Sequence, residues 1–342
     1  MVHHREAVDM VDMEYRILGR TTLKTSAIAI GTWQLSGPIT LDGKADGFTD
    51  VGRDQVINLI HACEDFGINT IDSAEIYGAG EGERRVGEAL RDRRDRWIVS
   101  TKFGLRRGDT GKRVIDCHPQ TIRKSLEGSL ERLQTDYVDL YLYHSPPNVK
   151  SIEEGKQILD ALKQEGKIRF YGISTDNADL VEQLSRKNAV EVVMFSQSLL
   201  TYPEKMLDLV QSHSLGSMIR GVFEAGLLTG KYFQHKPQLT KEDIRSSWMN
   251  DAKTEQYAVY QSLVPAGFSM TALALRYVLD FDTTHTVVLG GKAISDYQDA
   301  LQAFQLAPLD HETQAALATL RQNLRQTSFK RRVINKLKRI FA

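Results

Sequence analysis

Cysteine is nearly absent. The 342-residue chain has two, Cys63 and Cys117, too few for a disulfide framework or a zinc site. Both are expected to be reduced thiols of a cytoplasmic protein, Cys63 buried on a helix. Net charge is missing as well: 44 Lys and Arg stand against 44 Asp and Glu, so no overall field draws the chain towards nucleic acid or acidic substrates. No apolar run approaches the roughly 20 residues that cross a bilayer. The opening MVHHREAVDMVD carries acids and no apolar segment, so residues 1–13 are expected to be a flexible leader and not a secretory signal. The composition is otherwise that of an ordinary globular protein, 41% hydrophobic and 26% charged. The length suits one large α/β barrel or two smaller domains.

What the chain does have is a repeated cadence of strand and helix. A hairpin is expected in 14–25, around Gly19 and Arg20. Short apolar runs at 27–32, 70–72, 97–101, 138–142, 168–174, 191–195, 217–222 and 286–289 read as buried strands. Stretches with apolar residues at helical spacing follow them at 53–67, 81–91, 119–133, 151–165, 177–185, 203–214, 269–279 and 295–304. Pro119 suits a first helical turn, and Ser151 with Glu154 has the spacing of a capping box. The stretch 38–52 and the charged segment before Pro119 read as loops. Alternating units of this kind demand parallel strands, and their number over about 280 residues fits a closed (β/α)8 TIM barrel spanning 14–320. The rival doubly wound sheet announces itself with G-x-G-x-x-G after its first strand. Here that strand runs into Gly31, Thr32, Trp33, Gln34 and Leu35. The glycine-rich 78–83 segment ends in Glu83, an acid that would repel a phosphate, and is given no phosphate-binding role.

Chemistry gathers at the strand ends. In NTIDSAEIYG (69–78), Asp72 ends a strand and Tyr77 follows in a small-residue loop. Alone, each has a bland reading, a turn-capping acid and a half-buried aromatic. Two further strand ends, however, carry Lys102 and His144, and in a barrel such ends meet over one mouth. A free Tyr has a pKa near 10. A neighbouring ammonium is expected to lower it, an aspartate to hold that ammonium, and an imidazole to orient a substrate oxygen. Such a set delivers a proton to a carbonyl. No side chain supplies hydride, so a nicotinamide cofactor is implied.

The chain resembles the aldo-keto reductases from about Tyr15 to about Leu309. The resemblance rests on Gly31, Thr32 and Trp33, on 69–78 with 84–90, on 100–102, 126–144, 166–169 with 172–174, and on 226–231. It implies an eight-stranded barrel that binds extended NADP(H), with a catalytic tetrad filled by Asp72, Tyr77, Lys102 and His144. Tyr77 would be the general acid, Lys102 paired with Asp72 would tune it, and His144 would orient the carbonyl. It also implies cofactor contacts at Thr32, Trp33 and Asp72, and at Ser174, which matches a serine on the carboxamide, with Thr175 where the family has asparagine. Arg220 stands at the place that stacks on the nicotinamide, and Gly226 and Leu227 match the loop near the pyrophosphate. Met194 replaces a glutamine and cannot donate, and Gln197 is a possible substitute. Lys292 aligns with the basic residue at the 2′-phosphate, which favours NADP(H) over NAD(H). Asp296 and Ala300 replace residues that hold the adenosine end, and Asp296 is expected to repel a phosphate. No metal is implied.

Trp33 either walls the substrate pocket or packs at its rim. The polar stretch 232–265 either arches over the mouth or is a surface insertion. From 321 to 342 there are eight Lys or Arg and no acid, with Phe329, Val333, Leu337 and Ile340 at helical spacing. This basic amphipathic tail would pack on the barrel, or lie weakly on an anionic membrane or a partner. Two functions stand at this point. The first is NADPH-dependent reduction of a small aldehyde or ketone, or the reverse oxidation of an alcohol, with hydride from nicotinamide and proton from Tyr77. The second is a nucleotide-binding regulatory or scaffolding barrel with little turnover.

Overall fold

Short runs such as Ile28–Gly31, Thr70–Asp72 and Ile98–Phe103 are buried along their whole length. Strands buried on both faces belong in the middle of an α/β layer structure. The computed structural model describes residues 12–144, 149–233, 238–249 and 257–324 and arranges them that way. The strands are β1 (Tyr15–Ile17), β2 (Lys24–Ser26), β3 (Ile28–Gly31), β4 (Thr40–Leu41), β5 (Lys44–Ala45), β6 (Thr70–Asp72), β7 (Ile98–Phe103), β8 (Leu105–Arg107), β9 (Arg113–Ile115), β10 (Val138–His144), β11 (Ile168–Ser174), β12 (Val192–Ser196), β13 (Gly216–Arg220) and β14 (Thr286–Leu289). The helices are α1 (Arg53–Asp65), α2 (Glu81–Leu90), α3 (Pro119–Leu133), α4 (Val149–Gln164), α5 (Ala178–Arg186), α6 (Glu204–Ser212), α7 (Met270–Leu279) and α8 (Ile294–Leu301).

Strands β3, β6, β7, β10, β11, β12, β13 and β14 close in that order into a barrel, every neighbour parallel. Parallel pairing requires crossovers, which the helices supply on the outside. Leu140, Leu142, Val192, Met194 and Met218 fill the barrel interior. Leu18 and Leu23 from the β1–β2 hairpin join that cluster and cover the N-terminal end. The larger core lies between barrel and helices, where Ile60, Cys63, Leu126, Val181 and Leu273 are buried. Cys63 on α1 is a free thiol whose ionisation burial pushes up, and burial raises that of Cys117 to about 11.

The structure differs from the sequence reading in three places. The two presumed loops each hold a small antiparallel hairpin, β4–β5 and β8–β9. Helix α4 starts at Val149, so Ser151 and Glu154 lie within it and do not form a capping box. Helix α8 is shorter than expected and continues as a 3-10 turn at Gln302–Gln305. A last helix covers 311–324, with Leu317 buried and Arg321 Nη1 donating to Tyr277 Oη at 2.6 Å. The rest of the basic tail, and residues 1–11 of the leader, lie outside the described residues. No helix among the described residues is long and apolar enough to cross a membrane.

Candidate active site

Register brings the strand-end residues together. Asp72 on β6 pairs with Ser100 on β7, and Lys102 on β7 pairs with Leu142 on β10. Side chains two residues apart on a strand share a face. Ser100, Lys102 and Asp72 therefore point to one side, with His144 two residues beyond Leu142. Ser100 Oγ donates to Asp72 Oδ1 at 2.9 Å. Lys102 Nζ donates to Asp72 Oδ2 at 2.5 Å, to the Ser73 carbonyl at 2.9 Å and to Tyr77 Oη at 3.3 Å. These three bonds use the whole donor capacity of an ammonium, so Lys102 is fixed although only 1% exposed.

Tyr77 is placed by a tight turn. Its amide donates to the Ala74 carbonyl at 3.0 Å, and Gly78 follows at φ 57. A Cβ at Gly78 would stand 2.1 Å from the Ser36 carbonyl oxygen, so only glycine fits this close approach. The phenol ring lies between two others. Trp33 stacks on it at 6.1 Å and 23°, and His144 meets it edge-on at 5.8 Å and 86°. His144 Nδ1 is buried with no hydrogen-bond partner among the described residues.

Burial decides the protonation states. It pushes the Tyr77 phenol up, with Lys102 pulling the other way and Asp72 adding to the rise. Lys102 lowers the pKa of this phenol, as expected, but desolvation outweighs one ammonium and the net shift is upward. Burial opposes the charge of Lys102, but Asp72 and Tyr77 outweigh it and hold the ammonium above its ordinary range. Burial raises Asp72 against the pull of Lys102 and Ser100. It lowers His144 to about 3, helped by the charges of Lys102 and Arg220. At neutral pH the set is a protonated phenol, an ammonium bonded to Asp72, and a neutral imidazole.

Asp72 and Tyr77 stand at one end of a cavity of about 440 Å³, which runs past Trp33, Met194, Arg220 and Gly226 to Gly290, Lys292 and Asp296. Glycine backbone forms part of its wall: a Cβ at Gly290 would lie 1.9 Å from Gln34 Nε2. Arg220, Lys231, Arg245 and Lys292 add four cations along it. A reacting end with a proton donor and a cationic, glycine-lined arm fit an extended dinucleotide with its diphosphate. Among the described residues no group of three His, Cys, Asp or Glu is placed to hold a metal.

The expected cofactor residues fall unevenly on this wall. Thr32, Trp33, Asp72, Arg220, Gly226 and Lys292 line the cavity. Thr32 Oγ1 donates to Ser73 Oγ at 2.9 Å. The Arg220 guanidinium is tied to Ser196 Oγ at 2.6 Å and Asp176 Oδ2 at 2.7 Å. Lys292 Nζ donates to the Thr49 carbonyl at 3.2 Å and sits 5.2 Å above the Phe48 ring centre; burial, with the charge of Arg245 adding to it, lowers its pKa. Ser174 pairs in register with His144 but is not on the cavity wall. Thr175 Oγ1 accepts from the Asn177 amide at 3.1 Å, which commits it to the turn before α5. Leu227 is buried and faces a second cavity of about 590 Å³, not the first. Gln197, the suggested substitute donor, is fully buried and off the first cavity's wall, and its amide has no partner among the described residues. Ala300 is buried in the core.

Asp296 differs most from its reading as a bare repulsive charge. It accepts from the backbone amides of Lys292 at 2.8 Å and Ala293 at 3.1 Å and forms an ion pair with Lys231. Glu83 is likewise engaged, buried between Thr101 Oγ1 at 2.5 Å and Arg132 Nε at 2.6 Å. Phe48, Arg245 and Gln34 are among the wall residues to which the sequence reading assigns no role. Arg245 is doubly bonded to Asp243 and lies 5.4 Å from the Phe48 ring centre. The Ile244 amide donates to the Gly47 carbonyl at 2.9 Å. The described part of 232–265 thereby meets the 38–52 loop beside the cavity, while Tyr260 is buried against the body. No local pattern signals such a meeting of two distant polar loops.

The sequence profile of the Aldo/keto reductase family matches residues 27–322. The chain is 30% identical to aldo-keto reductase YhdN of Bacillus subtilis, across 91% of this chain and 94% of that one. It is 28% identical to the NADH-specific methylglyoxal reductase of Escherichia coli, across 84% and 93%. Among solved structures it superimposes on the glycerol dehydrogenase AKR11B4 of Gluconobacter oxydans with a TM-score of 0.77 at 27% identity, covering 90% of this chain and 94% of that one. With its closed eight-stranded barrel and this match over most of its length, the chain belongs to the aldo/keto reductase family of NAD(P)-dependent oxidoreductases.

Proposed function

We propose that the protein reduces the carbonyl of a small aldehyde or ketone to an alcohol, or runs the reverse oxidation, with Asp72, Tyr77, Lys102 and His144 as its catalytic residues. The observation that carries this reading is the 3.3 Å contact of Lys102 Nζ with Tyr77 Oη, where Tyr77 lines the cavity. A bound nicotinamide dinucleotide would supply hydride to the carbonyl carbon. Tyr77 holds the proton on Oη and gives it to the carbonyl oxygen as charge develops there. Lys102 stabilises the phenolate that remains, and Asp72 keeps Lys102 charged and aimed. The neutral His144 ring orients the same oxygen. Trp33 would wall the substrate side. In the oxidative direction Tyr77 takes the proton back.

Thr32, Trp33, Asp72, Arg220 and Gly226 would hold the cofactor along the cavity, with Ser174, Thr175 and Leu227 as more distant supports. The cofactor we favour is NADP(H), because Lys292 offers a counter-charge to a 2′-phosphate. The methylglyoxal reductase and glycerol dehydrogenase are relatives named for small polar molecules, and the same class is proposed as substrate here. Two buried, unpaired cysteines support a cytoplasmic setting.

The test is Tyr77→Phe. Oxidation of NADPH should become dependent on an aldehyde or ketone from a broad panel in the wild type. The variant should lose that turnover by about 10²-fold or more while binding NADPH as before. A variant that still turns over at the wild-type rate refutes the assignment of the acid. Wild-type protein that binds NADPH but reduces no member of the panel refutes the enzymatic reading in favour of a nucleotide-binding barrel.

A further inference from the structure

We propose that Asp296 is a resident competitor of the 2′-phosphate, so that this chain discriminates only weakly between NADPH and NADH. The inference rests on the reading above that Lys292 faces that phosphate. The amides at the start of a helix and a nearby lysine form an anion site. At the start of α8 the anion already present is the chain's own. Asp296 accepts from the Lys292 and Ala293 amides and pairs with Lys231. Lys292, Lys231, Arg245, Asp296 and Asp299 all line this end of the cavity.

The charges there are largely spent on one another. Arg245 gives its Nε and Nη2 to Asp243, at 2.9 and 2.8 Å. Lys231 is paired with Asp296. Lys292 Nζ donates to a neutral carbonyl and forms no ion pair among the described residues. A 2′-phosphate, close to dianionic, would meet one uncommitted ammonium and two carboxylates on the same wall. To gain Lys231 or the Lys292 and Ala293 amides it must displace Asp296. Burial works against the charge of Asp296, but Lys231 and the two amides outweigh it and hold this carboxyl below its ordinary range. It therefore stays ionised at neutral pH. NADH presents hydroxyls at this position and avoids the repulsion.

The experiment is a binding titration of the full-length protein with NADPH and NADH, followed by tryptophan fluorescence and without substrate. Asp296→Asn keeps an oxygen for the Lys292 and Ala293 amides, removes the charge and releases Lys231. NADPH should then bind about tenfold tighter or more while NADH affinity stays within about twofold. Log Kd for NADPH should also depend more steeply on log salt. Lys231→Met should do the opposite, weakening NADPH more than NADH. The proposal is overturned if Asp296→Asn shifts both affinities equally, or neither, because the carboxylate then only caps the helix. Lys292→Met separates the two levels. If it leaves the NADPH to NADH ratio unchanged, the phosphate does not lie at Lys292 and the parent reading fails. If it changes the ratio while Asp296→Asn does not, only the competitor fails.

Discussion

Replacing Asp72 with Asn removes one charge from a pair that has almost no access to water. Lys102 and Asp72 are 1% and 3% exposed, and the ammonium keeps only neutral partners, Ser73 O, Tyr77 Oη and the amide oxygen of the new Asn. Breaking a buried pair by deleting one partner costs about 3–5 kcal/mol. The variant sheds part of that cost by releasing the Lys102 proton, since burial is the largest influence on this group and Asp72 the first that opposes it. The sign follows from linkage. In the wild type the folded pKa of Lys102 is raised, so its contribution is complete below the unfolded value of about 10.4 and fades only as pH rises through the folded value. In Asp72→Asn the folded pKa drops below the unfolded one. The unfolded chain then binds the extra proton, and stability rises with pH by up to about 1.4 kcal/mol per unit. Urea unfolding at pH 7 should show a deficit of about 3 kcal/mol against wild type, shrinking by more than half at pH 9.5. A deficit that is equal at both pH values, or below about 1 kcal/mol at pH 7, refutes the picture of a charged, desolvated pair.

His144, lowered to about 3, should leave no limb near its unperturbed pKa of about 6.5 in the pH profile of carbonyl reduction. The rate should be flat from about pH 5 to 8, and a limb centred near 6.5 in kcat would show that this imidazole titrates in the working site. The stability counterpart has the opposite sense to that of Lys102. A His with a depressed folded pKa contributes fully above the unfolded value and loses that contribution as pH falls from about 6.5 towards 3. Gly78→Ala sets a Cβ 2.1 Å from Ser36 O at a φ of 57, so the turn carrying Tyr77 must shift. We expect kcat to fall by about 10²-fold with NADPH affinity nearly unchanged; titration and steady-state kinetics check both, and an unaltered kcat would mean Tyr77 needs no such turn.

The barrel was legible because its strands and helices announce themselves over short windows. The bounds of 70–72, 168–174, 286–289 and 119–133 match β6, β11, β14 and α3, since each begins or ends at a change in apolar period or at a proline. The β4–β5 and β8–β9 hairpins carry no such signal. Their strands are two or three residues long and mostly exposed or half-buried. They are held in part by each other: the Asp42 amide donates to Gly111 O at 3.0 Å, and Arg113 pairs with Asp42 at 2.9 Å. A contact across 71 residues has no counterpart in local pattern. The start of α4 was misplaced for the reverse reason. Ser151 and Glu154 make a plausible local cap, but the helix already runs from Val149.

The same division holds within the site. Asp72, Lys102 and His144 stand at strand ends, and closing the barrel in register is enough to gather them. Residue type told which charges would be neighbours. It did not tell how dry the place would be, and dryness sets the direction of the Tyr77 shift. A phenol kept protonated beside a fixed ammonium suits proton delivery, because the proton is present beforehand and the charge left behind already has its counter-ion. Asp296 repeats the lesson at the other end of the cavity. An acid in that place reads as simple repulsion until the fold supplies Lys231 from 65 residues away and two amides from the turn that leads into its own helix. Those partners satisfy the carboxylate and, by the same contacts, deny Lys231 and the amides to any incoming anion. Stability of the chain's own charge and affinity for a phosphorylated ligand are in opposition at this point, which is why one neutralising substitution there should move the second without unfolding the first.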